Sequence, residues 1–270
     1  MPDTPRPVIG VFDSGLGGLS VLSALAKVCP SVDLVYAADT AHVPYGNKSP
    51  EQIRSRVLAM GQALILEGCT TLVVACNTAT AEAIDDLRAA HPSTPIVGIE
   101  PGIKPAAHNT QSNQIAVLVT AATAKSQRLA QLIERHAPQK TVHIIPCHGW
   151  ATEVEALNLE SPSILKEARE RVLPLIDAGV DQLVLGCTHY DFLAPTLASI
   201  IGSKAKLVGV ADAVARQACK ISGISANITG PRTIRLMATA DPDRLGNAFL
   251  ALGLGSITRQ KIIAQEIPVA

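Results

Sequence analysis

The sequence predicts an α/β protein made of two pseudo-symmetric units, each a largely parallel sheet flanked by helices. Three observations lead there. Short runs rich in Val, Ile and Leu alternate with longer segments of helical period, the pattern of strand, crossover helix and parallel strand. Those runs are nearly continuous in apolar residues, as strands covered on both faces must be. The chain also repeats itself. A shift of 111 residues (187 − 76) lays "ALILEGCTTLVVACNTA" over "PLIDAGVDQLVLGCTHY" with six of seventeen positions identical. A weaker echo, at another offset, aligns "VIGVFDSG" with "QIAVLVTA".

The elements follow in order. "PVIGVF" leads to a helix over 18–28. "VDLVYAAD" leads through a polar loop to a helix over 50–67. "TTLVVA" precedes a helix over 80–90, and "TPIVGI" a short one near Pro105. A second series begins with "NQIAVLV" and a helix over 123–136. "TVHIIP" is followed by helices as far as Ala178, and "DQLVLG" by a helix near Leu193. "AKLVGV", a helix over 211–221, "RTIRLMAT" and a helix over 241–252 complete the set. The tail from Ile257 reads as an edge strand.

Composition narrows the function. The chain has 270 residues, 47% hydrophobic and 17% charged, with no net charge and 3% aromatics. A nucleic-acid surface needs a basic stripe and stacking rings, so that class is excluded. No apolar stretch is long enough to span a membrane, and "MPDTPRPVIGVF" lacks the pattern of a signal peptide, so a cytoplasmic protein is expected. Six cysteines without a C-x-x-C pair are expected to be free thiols there.

Four motifs carry candidate chemistry. "LVVACNTAT" ends a buried run on Cys76, where a parallel sheet presents its ligands. "LGCTHY" places Cys187 at the matching point of the repeat, with His189 two residues on. "FDSGLGG" reads as a tight turn at a helix start, with Asp13 aimed into the cleft or capping the helix. It is not a dinucleotide fingerprint, because Ser20 stands where the third glycine would fall and Asp39 is the nearest candidate for the ribose acid. "PYGNKS" fixes a turn after the second strand, with Asn47 or Ser49 available to cap the next helix.

Three chemistries compete for these residues. Cys187 and His189 suit a nucleophile and its base, which leaves Cys76 unexplained. Cys76, Cys187, His189 and Asp13 suit zinc, as in a hydrolase, if all four converge. Two thiols on opposite sides of a small carbon acid suit removal of a proton from one face and its return to the other. Cysteine fits that role because its ionisation responds strongly to its surroundings. Only this last chemistry uses the repeat. A non-catalytic amino-acid binder with two domains is the further alternative.

"FDSGLGGLSV", "DTAHVPYGNKS", "ACNTAT" and "LGCTHY", in that order, make the chain resemble the glutamate racemases, over roughly residues 9–253. The resemblance implies cofactor-independent interconversion of L- and D-glutamate for peptidoglycan synthesis, with no metal and a small-molecule partner; a homodimer stays open. It implies that Cys76 and Cys187 transfer protons, assisted by Asp13 and His189 respectively. It further implies that Asp13, Ser14, Tyr45, Gly46, Asn77, Thr78, Thr188 and His189 hold glutamate, with Glu155, Pro44 and Thr120 as additional candidates. The family's fold inserts one domain into the other, which divides this chain into 1–98, an inserted 99–208, and a return over 209–270. Asp191, Ala122, Gly209 and Val210 depart from the family pattern.

Overall fold

In a computed structural model, which describes residues 6–223, 232–258 and 264–269, ten strands form two wholly parallel sheets. The strands are β1 (Val8–Asp13), β2 (Asp33–Ala38), β3 (Thr71–Val74), β4 (Ile96–Gly98), β5 (Gln114–Val119), β6 (Thr141–Pro146), β7 (Gln182–Leu185), β8 (Lys206–Val208), β9 (Ile234–Ala238) and β10 (Ala264–Glu266). The helices are α1 (Leu19–Val28), α2 (Pro50–Leu66), α3 (Asn77–Ala90), α4 (Ile103–Asn109), α5 (Ala121–Lys125), α6 (Gln127–His136), α7 (Trp150–Glu155), α8 (Pro162–Asp177), α9 (Ala194–Ile201), α10 (Ala211–Ile221) and α11 (Pro242–Ala251).

The first sheet runs β10-β9-β2-β1-β3-β4 and the second β6-β5-β7-β8. The order β2-β1-β3-β4 maps directly onto β6-β5-β7-β8, so the sequence repeat is also a repeat of topology. Register makes the match residue-specific. Phe12 pairs with Val74 and Leu118 with Leu185. Beyond these pairs Ala75 N–H donates to Phe12 O, and Gly186 N–H to Leu118 O. Cys76 and Cys187 are therefore the next residue after equivalent positions. Each follows a strand beside the point where strand order reverses, the place where open parallel sheets bind ligands.

Burial explains why these runs are strands. Every residue of β3 and β7 is buried. Two apolar layers cover the faces of the first sheet, one around Leu22, Leu25 and Phe249 and the other around Val57, Met60 and Leu87. The second sheet has its own pair, around Val172 and Leu197 on one side and Ile103 and Leu129 on the other. Ser49 caps α2 in a reciprocal capping box with Gln52, and Pro50 occupies the first turn.

Two expectations change, and one gains a detail. The helix expected over 123–136 is two helices, because Ser126 is extended (φ −71°, ψ 138°) and its hydroxyl caps α6 by accepting from Leu129 N–H. The helix expected near Leu193 is present as α9, preceded by a 3-10 turn over Thr188–Leu193 that the sequence did not suggest. Cys29 and Cys219 are not free thiols: they form a disulfide, Cα to Cα 6.3 Å, where α1 and α10 pack together. Cys69, Cys76, Cys147 and Cys187 are free and buried. The tail does form an edge strand, β10 beside β9, although residues 259–263 and 270 lie outside the described residues.

Candidate active site

The carboxyl ends of the two sheets meet. β1 ends on Asp13, which is fully buried. Its Oδ1 accepts from Gly15 N–H at 2.8 Å and from the Ser14 hydroxyl at 3.3 Å, while Oδ2 accepts from Thr188 Oγ1, across from the other sheet, at 2.9 Å. Cys76 Sγ donates to Ser14 Oγ at 3.9 Å. The first thiol therefore reaches Asp13 through a hydroxyl.

The second thiol has a different arrangement. Cys187 Sγ lies 3.8 Å from His189 Nδ1, and His189 Nε2 lies 2.6 Å from Glu155 Oε1. That carboxylate oxygen also accepts from Leu16 N–H at 2.7 Å, so Glu155 ties α7 to the turn after β1. Arg244 of α11 donates to the Glu155 carbonyl at 2.9 Å.

Charge follows from these contacts. Burial favours neutral His189, but hydrogen bonds to Cys187 and Glu155 outweigh it and raise its pKa well above the usual imidazole range. Burial likewise favours protonated Glu155, yet the His189 bond and charge, with Leu16 N–H, hold it below the usual carboxylate range. His189 and Glu155 thus form a buried ion pair. Burial raises the pKa of Asp13 despite its three donors and the nearby His189. Burial, reinforced by the Asp13 charge, pushes the Cys76 thiol up.

The glycines of "FDSGLGG" serve this meeting of sheets. A Cβ on Gly15 would lie 2.0 Å from Glu155 Oε1, and one on Gly17 would lie 2.4 Å from His189 Nδ1. Only bare backbone fits beneath those side chains.

The remaining candidates fall into three groups. Thr78 Oγ1 lies 3.0 Å from Thr120 Oγ1 and 3.3 Å from Thr123 Oγ1, joining α3 to the start of α5. Tyr45 is buried with its hydroxyl donating to Asp39 Oδ2 at 2.6 Å, and Gly46 backs onto Thr120. Pro44 follows a cis peptide bond and borders a small void with Gly46 and Thr120. Asn77 opens α3 with both side-chain polar atoms buried and without a hydrogen-bond partner among the described residues.

Sequence reasoning missed Asp39 as an anchor. Fully buried, it accepts from Tyr45, from Arg56 Nε and Nη2, from Thr239 and from the His42 ring, and these donors hold its pKa low against burial. Its place at the end of β2 was a usable signal. Arg56 and Arg244 gave none, because they come from helices outside the four motifs. Among the described residues, no three His, Cys, Asp or Glu side chains are grouped so as to hold a metal ion, and the four-ligand zinc set is not assembled.

Residues 9–218 match the model of the family described as Asp/Glu/hydantoin racemase. The chain belongs to that family. The racemase is 45% identical over 215 residues to the glutamate racemase of Ectopseudomonas mendocina, covering 80% of this chain and 82% of that one. It is 43% identical over 239 residues to that of Pseudomonas entomophila, covering 88% and 90%. Among solved structures it is similar to Escherichia coli glutamate racemase in complex with L-glutamate and the activator UDP-MurNAc-Ala. That match has a TM-score of 0.85 and 28% identity, and covers 98% of this chain and 100% of that one. A Bacillus anthracis glutamate racemase gives a TM-score of 0.84 at 28% identity, covering 98% of each chain. The amino-acid racemase thus presents two buried thiols, each with its own route to a carboxylate, at matching ends of two related sheets. No helix among the described residues is long and apolar enough to cross a membrane.

Proposed function

We propose that the racemase interconverts L- and D-glutamate by a two-base thiol mechanism, in the cytoplasm, and supplies D-glutamate to peptidoglycan synthesis. The observation that carries this reading is the equivalence of Cys76 and Cys187 across the repeated topology. The glutamate racemases it resembles supply the substrate. The two sheets correspond to two domains, 99–208 inserted between 1–98 and 209–270, with the substrate between them.

Cys187 removes the Cα proton of L-glutamate, and Cys76 delivers a proton to the opposite face; D-glutamate reacts in the reverse sense. On the Cys187 side His189, held by Glu155, stabilises the thiolate. On the Cys76 side, Asp13 takes the thiol proton through Ser14 when Cys76 is to act as base on D-glutamate. It returns a proton after Cys76 has given its own to Cα in the other direction; its raised pKa suits it as that acceptor. The first N–H groups of α3, together with hydroxyls such as Thr188, stabilise the substrate carboxylate as charge builds on it. The unpartnered Asn77 amide is suited to a polar group of the substrate. Tyr45, Gly46 and Thr78, with Pro44 and Thr120, close over it, and no cofactor is required.

Chiral chromatography across several amino acids tests the substrate, and deuterium uptake tests the mechanism. In D₂O, early product from either enantiomer carries deuterium at Cα while remaining substrate stays largely unlabelled. Cys76→Ser and Cys187→Ser each abolish racemisation, since a serine hydroxyl is a far weaker base. A single variant that racemises near the wild-type rate, or label entering substrate as fast as product, would sink the two-base reading.

A further inference from the structure

A cavity of about 580 Å³ opens between the loop after β2 and the segment joining α5 to α6. Gly46, Asn47 and Lys48 line it from one side and Ala121, Lys125 and Gln127 from the other, and His148 also lines it. A smaller void of about 30 Å³ shares Gly46, Asn47, Ala121 and His148 with it and continues inward to Thr120, Cys147 and Tyr190. Tyr190 adjoins His189 in the chain. The inner void is lined by Pro44, Gly46 and Thr120, the residues proposed to close over the substrate, so the larger cavity adjoins the proposed substrate site from the solvent side.

Two lysines line the cavity. Most lysines and arginines near carboxylates are paired, as in Arg54 with Asp86, Lys204 with Asp177 and Arg128 with Glu100. Lys48 and Lys125 belong to no ion pair among the described residues, and Glu82 is the one carboxylate on the cavity wall. His189, beside the second thiol, is committed to Glu155. An amino acid with a second carboxylate carries net negative charge in solution. At this mouth it would lie beside Lys48 and Lys125.

We propose that Lys48 and Lys125 are an electrostatic access pair that draws the dicarboxylic amino acid into the cavity and takes no part in proton transfer. Two cations flanking a concave, low-dielectric path raise the local concentration of an anion, and added salt screens the effect within about 10 Å at 0.1 M. The inference rests on glutamate, or a close dicarboxylic relative, being the substrate.

Steady-state rates with L- and D-glutamate at rising NaCl test it, using wild type, Lys48→Ala/Lys125→Ala, Lys48→Glu/Lys125→Glu and the control Lys204→Ala. Wild type and the control lose kcat/KM as salt rises. The double alanine variant loses on the order of tenfold in kcat/KM at low salt through a higher KM, keeps its kcat, and responds weakly to salt. The double glutamate variant gains kcat/KM as salt rises. A double alanine variant with wild-type kcat/KM and salt slope overturns the proposal. So does a fall in kcat as large as the fall in kcat/KM, which would place the lysines in the reaction itself. A wild-type protein that does not racemise glutamate fails the substrate reading instead, and is told apart at once by the chiral assay.

Discussion

Glu155 Oε1 stands 2.6 Å from His189 Nε2 and 2.7 Å from Leu16 N, so one carboxylate oxygen holds the imidazole beside Cys187 and the turn that follows Asp13. Hydrogen bonds with Cys187 and Glu155 raise the His189 pKa, and Glu155→Gln weakens the second of them. kcat is expected to fall by on the order of 10²-fold, and the His189 imidazole, followed by NMR, to titrate at lower pH. Stability changes too. Breaking a buried pair costs about 3–5 kcal/mol. Because the folded pKa of Glu155 is depressed, its contribution is present above the unfolded carboxylate range and is lost as pH falls. That of His189, whose folded pKa is raised, is present at low pH and lost as pH rises through it. A Glu155→Gln melting temperature equal to wild type at pH 6 contradicts the pairing.

Gly17→Ala would drive a methyl to 2.4 Å from His189 Nδ1. The expected result is loss of activity with a cost of about 1–3 kcal/mol from overpacking. Gly246→Ala, within α11, is the comparison, because among the described residues its Cβ meets only the Ala264 methyl, at 3.7 Å. It should stabilise by about 0.5–1 kcal/mol. Thermal melts and racemisation rates of the two variants separate contact between sheets from simple helix propensity.

Asp39→Asn weakens the donor set that holds Tyr45. The depressed pKa of Asp39 stabilises the fold above the ordinary carboxylate range and ceases to do so as pH falls. The variant is therefore expected to melt lower than wild type at pH 7, with the gap narrowing below pH 4. A gap that does not depend on pH would show that Asp39 acts by packing alone.

Cys69 and Cys147 are buried thiols whose pKa values burial pushes up to about 12. Native protein alkylated at pH 8 and mapped by mass spectrometry should carry no label at either residue, while unfolded protein is labelled at both. Rapid native labelling of Cys147 would mean that the void beside it opens to solvent.

Burial raises the Asp191 pKa to about 6, with Asp212 adding to the rise. The folded state therefore resists ionisation of this carboxyl, and stability falls as pH rises from the unfolded value toward 6. Asp191→Asn should raise the melting temperature at pH 8 and leave it unchanged at pH 4.

The thiols were legible in the sequence because a buried strand that ends on a polar residue, twice and at one spacing, is a local pattern. The β strands were legible for the same reason, since apolar runs depend on neighbours in the chain. What escaped was set across long separations. Asp39 meets Thr239 over 200 positions and Arg244 meets Glu155 over 89. Cys29 and Cys219 lie 190 apart, and no spacing rule reports that α1 and α10 share a face. The break at Ser126 escaped differently, because apolar periodicity continues through it and only the capping hydroxyl marks the new start. Gly15 and Gly17 were read as turn residues. Their need for space comes from side chains on the other sheet.

The two thiols have unlike supports, a hydroxyl and a carboxyl on one side, an imidazolium and a carboxylate on the other. A reaction whose product is the mirror image of its substrate has no thermodynamic preference, so in a symmetric solvent kcat/KM must be equal in the two directions. The unlike supports cannot enrich either enantiomer at equilibrium. They can only decide how the shared specificity constant divides between turnover and saturation in each direction. Damage to Asp13 or to His189 should therefore lower both values of kcat/KM equally and shift kcat and KM unequally. Any net flow toward one hand of the amino acid must come from the step that consumes it.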